Sequence, residues 1–175
     1  MKILLKAKSW QLFIGVFGTQ LIYQIITIFM IRQNPSLIDG FIMYKPFVVS
    51  ISALIFFMWI WQIAITVNNM NKEDNQGIVF FKSAFIFVIA YLLIMVISQM
   101  WLMDYNRIFL IPHIISLILL IYCLLFVSKV LKKSELGRKV GVGDYLGDFL
   151  LILMFPIGIW IIQPRINSLI INNEK

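Results

Sequence analysis

Long apolar runs dominate the sequence, and short polar stretches separate them. Four runs extend over about 20 residues or more, at 10–31, 47–67, 78–103 and 108–130. A helix of about 20 apolar residues spans the hydrocarbon core of a bilayer, which is about 30 Å thick. The runs do not alternate between apolar and polar residues as barrel strands do. The pattern predicts an all-α, polytopic transmembrane helical bundle that forms a single membrane domain over residues 1–175.

A fifth apolar run, at 149–163, differs from the others because it is short and interrupted. Its roughly 15 residues would extend about 22 Å as a helix, which is less than the thickness of the hydrocarbon core. Pro156 and Gly158 lie at its middle, and Gln163-Pro164-Arg165 closes it. We therefore expect a kinked or re-entrant segment at this place in the chain.

Two geometries are open for this segment. In the first, it spans a locally thinned bilayer with a proline kink, so that Asp148 and Arg165 lie about 25 Å apart. In the second, the chain turns back at 156–158 as a re-entrant hairpin, and Asp148 and Arg165 reach the same side of the membrane. Non-helical backbone is tolerated at that depth only where protein or water surrounds it. A re-entrant loop would therefore indicate a pore or a binding site.

Charged residues are few and unevenly placed. They make up 13% of the chain, with a net charge of +7, whereas a soluble domain carries about 25%. With the N-terminus inside, the inner side holds nine Lys and Arg, and the outer side between the first four helices holds three. The positive-inside rule then predicts a multi-pass protein of the cell (inner) membrane with a cytoplasmic N-terminus. Positive charges in such positions contact lipid headgroups, and we expect no nucleic-acid partner.

Asp144 and Asp148 precede the fifth run and lie four residues apart, on one face of a helix. Negative charge is stabilised at a helix start, where Asp also caps free N–H groups. Capping therefore explains both residues. A paired-carboxylate metal or proton site is the alternative.

His113 is the only histidine, and it lies near the start of the fourth run. One histidine builds no metal site unless carboxylates join it, so we expect it to hydrogen-bond a neighbour at the membrane interface. Cys123 is the only cysteine and excludes an internal disulfide. We predict no metal site and no cofactor.

The first run carries polar residues at spacings of three and four, which places them on one helical face. They are Thr19, Gln20, Tyr23, Gln24 and Thr27. In lipid such a face packs against other helices through hydrogen bonds, and the alternative is a polar transport path. In the second run, Trp59 and Trp61 lie toward one end, where aromatic rings favour the membrane interface.

The last quarter of the chain contains GDYLGDF and then, at 155–167, FPIGIWIIQPRIN. This tail resembles that of small uncharacterised bacterial polytopic membrane proteins. The resemblance implies a bacterial membrane setting and no known activity, and it carries over no catalytic residue.

Three functions remain open. The first is a non-enzymatic, partner-binding membrane component, because the sequence contains no nucleophile–base pair, cofactor loop or metal cluster. Its partners would be membrane lipid and either a second copy or another membrane protein. The second is a small oligomeric channel or transporter that uses the segment 141–167. The third is an intramembrane enzyme. The functional candidates are Asp144, Asp148, Pro156, Gly158, Gln163, Arg165 and His113.

Overall fold

The computed structural model describes residues 4–33, 44–71, 75–101 and 110–173 of the chain. They form six helices. The helices are α1 (Ser9–Gln33), α2 (Lys45–Asn71), α3 (Asn75–Trp101), α4 (Leu110–Leu136), α5 (Val142–Leu153) and α6 (Phe155–Asn173). Residues 102, 103, 108 and 109 of the predicted third and fourth runs lie outside the described residues.

The first four helices are long and apolar enough to cross a membrane. The predicted class, an all-α bundle of a multi-pass membrane protein, is thereby confirmed. α1 contains a π-helical stretch at Ile14–Gly18. α2 and α4 continue beyond the predicted ends at 67 and 130, because polar residues can extend a helix past an apolar run.

α4 lies at the centre of the bundle, where it packs against α2, α3 and α5. α1 and α2 are antiparallel: the hydroxyl oxygens of Thr19 and Ser52 are 2.8 Å apart, and the Leu4 N–H donates to Gln62 Oε1 at 3.2 Å. One cluster of buried apolar side chains includes residues of all six helices. We call the end of the bundle that carries residues 4–8 the N-terminal end.

α5 and α6 form a helical hairpin with Met154 alone between them. Met154 leaves the helical region of backbone space, with φ −88° and ψ 52°. Its N–H donates to the carbonyl of Leu150, and its own carbonyl accepts from the N–H groups of Ile157 and Gly158. The backbone of the turn is therefore hydrogen-bonded within the hairpin. Of the two predicted geometries, the chain adopts the one that turns back.

The tip of the hairpin lies halfway through the bundle. Phe155, at the start of α6, packs against Phe17 of α1 and against Phe56, near the middle of α2. At the other end of α6, Asn167 bonds the carbonyl of Ala7. α6 thus runs antiparallel to α1 and returns to the N-terminal end. The hairpin extends well beyond the predicted bounds of 149–163, because both arms continue as helix through the polar residues that flank the apolar run.

Pro156 and Gly158 have different roles in this hairpin. Pro156 is the second residue of α6, where its missing N–H removes no helical hydrogen bond. Gly158 lies where the two arms meet, and a Cβ at this position would be 1.7 Å from the carbonyl oxygen of Leu151. Only glycine fits there without displacing the arms. The turn itself is at Met154, two residues before the predicted position.

Candidate functional site

Four charged side chains meet where α4, α5 and α6 come together near the N-terminal end. Arg165 donates to Asp148 from both terminal nitrogens, with Nη1–Oδ1 at 2.7 Å and Nη2–Oδ2 at 2.9 Å. Its Nε donates to Glu135 Oε1 at 2.7 Å. The Nζ of Lys132 lies 3.5 Å from Glu135 and 3.8 Å from Asp148. Two positive and two negative charges thus form a neutral group, which we call the ion-pair network.

The ion-pair network is shielded from solvent at its centre. The side chains of Asp148 and Glu135 are 6% and 18% exposed. Bidentate bonds between arginine and carboxylate are among the strongest polar contacts in proteins. Those to Asp148 and then to Glu135 raise the pKa of Arg165 above its usual value, so the guanidinium stays charged. The network therefore fastens both arms of the hairpin to α4.

Helical spacing accounts for the direction of these side chains. Lys132 and Glu135 lie three residues apart at the end of α4, so they share one face. On α5, Asp148 is buried, while Leu146 and Leu150, two residues to either side, are 45% and 49% exposed. The outer face of α5 is thus apolar and its inner face carries the carboxylate.

Asp144 is held in a different way from Asp148. Its Oδ2 accepts the N–H of Gly141 at 2.9 Å, and both of its oxygens accept from Arg138 at 3.2 Å. The backbone hydrogen bond, followed by the bond to Arg138, lowers the pKa of Asp144. Asp144 therefore caps the start of α5, as one of the two readings expects. The same interpretation is wrong for Asp148, which lies inside α5 and pairs with Arg165. Each aspartate thus binds its own arginine.

Gln163 is fully buried and joins α6 to α2 and to the residues before α1. Its Oε1 accepts the indole N–H of Trp59 at 2.7 Å. Its Nε2 donates to the carbonyls of Leu5 and Ala7, at 3.0 and 2.9 Å, and to Asn167 Oδ1 at 3.0 Å. We call these residues the Gln163 cluster. It fixes the start of the chain against the returning arm of the hairpin.

Trp59 is buried inside the bundle, so its ring does not face the lipid headgroups as expected. Trp59 is 1% exposed, and its ring meets that of Phe155 edge-on at 5.3 Å. A buried indole needs a hydrogen-bond acceptor, which Gln163 provides. Trp61 is half-buried and packs on Phe85, with ring centres 5.2 Å apart.

His113 is separated from the ion-pair network by most of the length of α4, since Glu135 lies in the last turn of that helix. Its Nδ1 is 3.0 Å from the hydroxyl of Tyr91, which is the expected bond to a neighbour. The ionisable functional candidates, Asp144, Asp148, Arg165 and His113, are thus not gathered in one place. In the part of the chain that the structure describes, no three His, Cys, Asp or Glu side chains are grouped so that they could hold a metal ion.

The polar residues predicted to share one face of α1 differ in whether they have a hydrogen-bond partner. Thr19 bonds Ser52 of α2, and the Thr27 hydroxyl donates to the carbonyl of Tyr23 in its own helix at 2.8 Å. The amides of Gln20 and Gln24 make no hydrogen bond to any described residue. A groove of about 440 Å³ between α1 and α2 is lined by Gln20, Tyr23, Gln24, Thr27 and Ile28, among others.

Two members of the ion-pair network, Lys132 and Glu135, are absent from the residues that the sequence singles out. The available signal is weak: Glu135 is the only acid among the basic residues between 129 and 139. Its role depends on the packing of α6 against α4, which no local pattern shows. In comparisons with known proteins, no family model, curated protein or solved structure matches this chain. The candidate site therefore stands on its geometry alone.

Proposed function

We propose that this protein is a non-enzymatic component of the bacterial inner membrane, with its N-terminus in the cytoplasm, that acts by binding a second membrane-embedded chain. The observation that carries the proposal is the second half of α1, Thr19–Gln33, which has no buried residue. It packs chiefly against α2. Its exposed apolar side chains point in several directions; they are Leu21, Ile22, Ile25, Ile26, Ile28, Phe29 and Ile31.

Lipid covers apolar side chains of this kind, but it cannot satisfy the amides of Gln20 and Gln24. Acyl chains offer no hydrogen-bond partner, and an unpaired amide in hydrocarbon is costly. A helix with polar side chains supplies what lipid lacks. The groove between α1 and α2 leaves room for side chains of a facing helix.

A second copy of this chain is the partner that fits best. A glutamine amide both donates and accepts hydrogen bonds, so the face that carries Gln20 and Gln24 is complementary to itself across a two-fold axis. Each hydrogen bond between helices in a membrane contributes about 1 kcal/mol. Two such faces can therefore hold a dimer without any charged contact.

The hairpin supports a structural role for the charged residues over an enzymatic one. Asp148 and Arg165 neutralise each other, and Asp144 is engaged in capping α5. None of the three is left as a free acid, base or nucleophile. In this proposal the ion-pair network and the Gln163 cluster keep the bundle rigid while α1 binds the partner.

A small oligomeric channel or transporter is the second candidate, and the polar groove on α1 favours it. Copies that associate through this groove would line a shared path with Gln20 and Gln24. The hairpin adds little support for a pore. Its turn at Met154 is hydrogen-bonded internally, and Gly158 is pressed against Leu151, so the turn needs no water-filled space.

Cysteine cross-linking in membranes tests the proposal. The background is Cys123→Ala, because Cys123 is buried in α4. Ile28→Cys places the reporter in the groove, and Ile118→Cys is a matched control on α4; these isoleucines are 56% and 60% exposed. We expect a disulfide-linked dimer from Ile28→Cys and none from Ile118→Cys, both in native membranes and in liposomes of the purified protein.

The amides themselves are tested by adding Gln20→Leu and Gln24→Leu to the Ile28→Cys chain. The cross-linked dimer should then decrease at least severalfold, since about 1 kcal/mol is lost per hydrogen bond. A heavier adduct that forms in native membranes alone would contradict the second copy as partner. Equal cross-linking of Ile28→Cys and Ile118→Cys would contradict the proposed face. Proton or ion flux in the liposomes, abolished by the double leucine change, would favour the channel.

A further inference from the structure

A cavity of about 270 Å³ opens at the N-terminal end, between the ends of α2 and α4 and the connection from α4 to α5. Its polar lining consists of Asn68, Asn71, Lys129, Lys133 and Lys139, and Phe126 contributes to an apolar wall. Three lysines and two asparagines lie together in this small space. The groove between α1 and α2 has a single lysine in its lining, and the groove between α2 and α3 is lined mainly by apolar residues. The composition of the cavity at the N-terminal end is that of an anion site.

Asn68 is the most buried of the polar residues that line this cavity. It is 8% exposed, and its amide forms no hydrogen bond with the described residues. Its neighbour Asn71 does have a partner, since Nδ2 donates to the carbonyl of Val130 at 3.1 Å. The amide atoms of Asn68 remain accessible from the cavity, since among the described residues no fully buried side-chain nitrogen or oxygen lacks a hydrogen-bond partner. Because Asn68 lines the cavity, its amide can donate a hydrogen bond to a ligand bound there.

Two lysines of the cavity lining, Lys129 and Lys139, are not paired with the nearby carboxylates of α4 and α5. Glu135 and Asp148 are engaged with Arg165, and Asp144 is engaged with Arg138. Lys129 and Lys139 are exposed and form no ion pair with any residue that the structure describes. Both ammonium groups are therefore available to an anion.

We infer that this cavity binds the phosphate group of an anionic lipid headgroup. Basic pockets between membrane helices, at the level of the headgroups, are suited to such ligands. A lysine ammonium binds phosphate as a compact point charge, and the Asn68 amide can donate to a phosphate oxygen. The volume lies below the roughly 300–1,000 Å³ of sites for drug-sized ligands, so it matches a headgroup and leaves the acyl chains outside, beside Phe126. This inference does not depend on the proposed dimer.

Lipid titration of the purified protein in neutral detergent tests whether the cavity binds an anionic headgroup. The ligands are phosphatidylglycerol, phosphatidylcholine and inorganic phosphate, and native mass spectrometry reports the affinity and number of bound molecules. We expect phosphatidylglycerol to bind at one site, and phosphatidylcholine and phosphate to bind far more weakly. Equal affinity for phosphate would assign the site to a free anion and overturn the lipid. Equal affinity for phosphatidylcholine would overturn the anion site.

The cavity itself is tested by substitution. Lys129→Gln with Lys139→Gln should weaken binding about 30-fold, since each basic residue near the headgroups contributes about 1 kcal/mol. Lys8→Gln with Lys82→Gln removes the same charge from exposed positions outside the cavity and should leave the affinity unchanged. Asn68→Leu should weaken binding with no change in charge. Equal effects of the two double substitutions, or unchanged binding after Asn68→Leu, would overturn the assignment.

Discussion

Arg165 and Asp148 are joined by hydrogen bonds of 2.7 and 2.9 Å, although 17 positions separate them in the chain. On one continuous helix the same separation would correspond to about 25 Å. The bond therefore requires the reversal of the chain at Met154. Glu135 extends the bond to α4, so that this contact joins the hairpin to the centre of the bundle.

Loss of the arginine should destabilise the protein strongly. Arg165→Gln leaves Asp148 and Glu135 without their main partner, and an uncompensated buried charge costs about 3–5 kcal/mol. Arg138→Gln is the matched control. It removes an exposed arginine that binds Asp144, and should cost much less, because water screens an exposed ion pair. Unfolding in detergent micelles, followed by tryptophan fluorescence, measures both; equal losses would contradict the role of the ion-pair network.

The double substitution Asp148→Asn with Arg165→Gln tests the pairing directly. It leaves neither charge of the pair alone, so it should cost clearly less than the sum of the two single changes. The same unfolding measurement applies. Additive losses would mean that Asp148 and Arg165 act independently of each other.

Gly158→Ala should open or destabilise the hairpin, because the new methyl group would collide with the carbonyl of Leu151. The arms must move apart, and we expect a loss of at least about 2 kcal/mol, typical of a severe steric conflict in a packed interior. Gly147→Ala is the control in the same hairpin, since nothing lies within 4 Å of its added Cβ. It should be neutral or stabilising by up to about 1 kcal/mol, because alanine favours helix. Similar unfolding curves for both variants would refute the close contact of the arms.

Gln163→Leu should release the residues before α1. The change leaves the Trp59 indole N–H and the carbonyls of Leu5 and Ala7 without their partner, and each unpaired buried group costs about 1–3 kcal/mol. Hydrogen exchange at residues 4–8 should then accelerate about tenfold or more.

The control for this change is Asn173→Ala, on the same helix, where the amide is exposed and donates to the carbonyl of Leu169. It should leave exchange at residues 4–8 unaltered. Unchanged exchange in Gln163→Leu as well would show that other contacts hold the start of the chain.

The four long helices follow directly from the sequence, because runs of about 20 apolar residues are stable as helices in lipid. Their ends do not. Asn68 and Asn71 follow the predicted end of the second run, in a polar stretch of the sequence, yet they continue α2. The role of Trp59 is likewise not local, since its burial depends on an acceptor, Gln163, that lies 104 positions away.

The hairpin could be predicted only as one of two alternatives. Pro156 and Gly158 indicate a break in the helix, but the same residues are typical of both a kink and a reversal of the chain. The choice between them depends on packing across the turn, such as that of Gly158 against Leu151. It also depends on the hydrogen bond that Arg165 donates to Glu135 on a separate helix, α4. Short-range patterns in the sequence do not contain these contacts.

The position of the C-terminus tests the reversal most directly. A topology reporter fused after Lys175 is compared with one fused before Met1 and with one inserted after Gly137, in the connection between α4 and α5. Because α6 returns to the N-terminal end, all three reporters should report the same side of the membrane. A reporter after Lys175 on the opposite side from the other two would mean that the segment crosses the membrane, and it would contradict the hairpin.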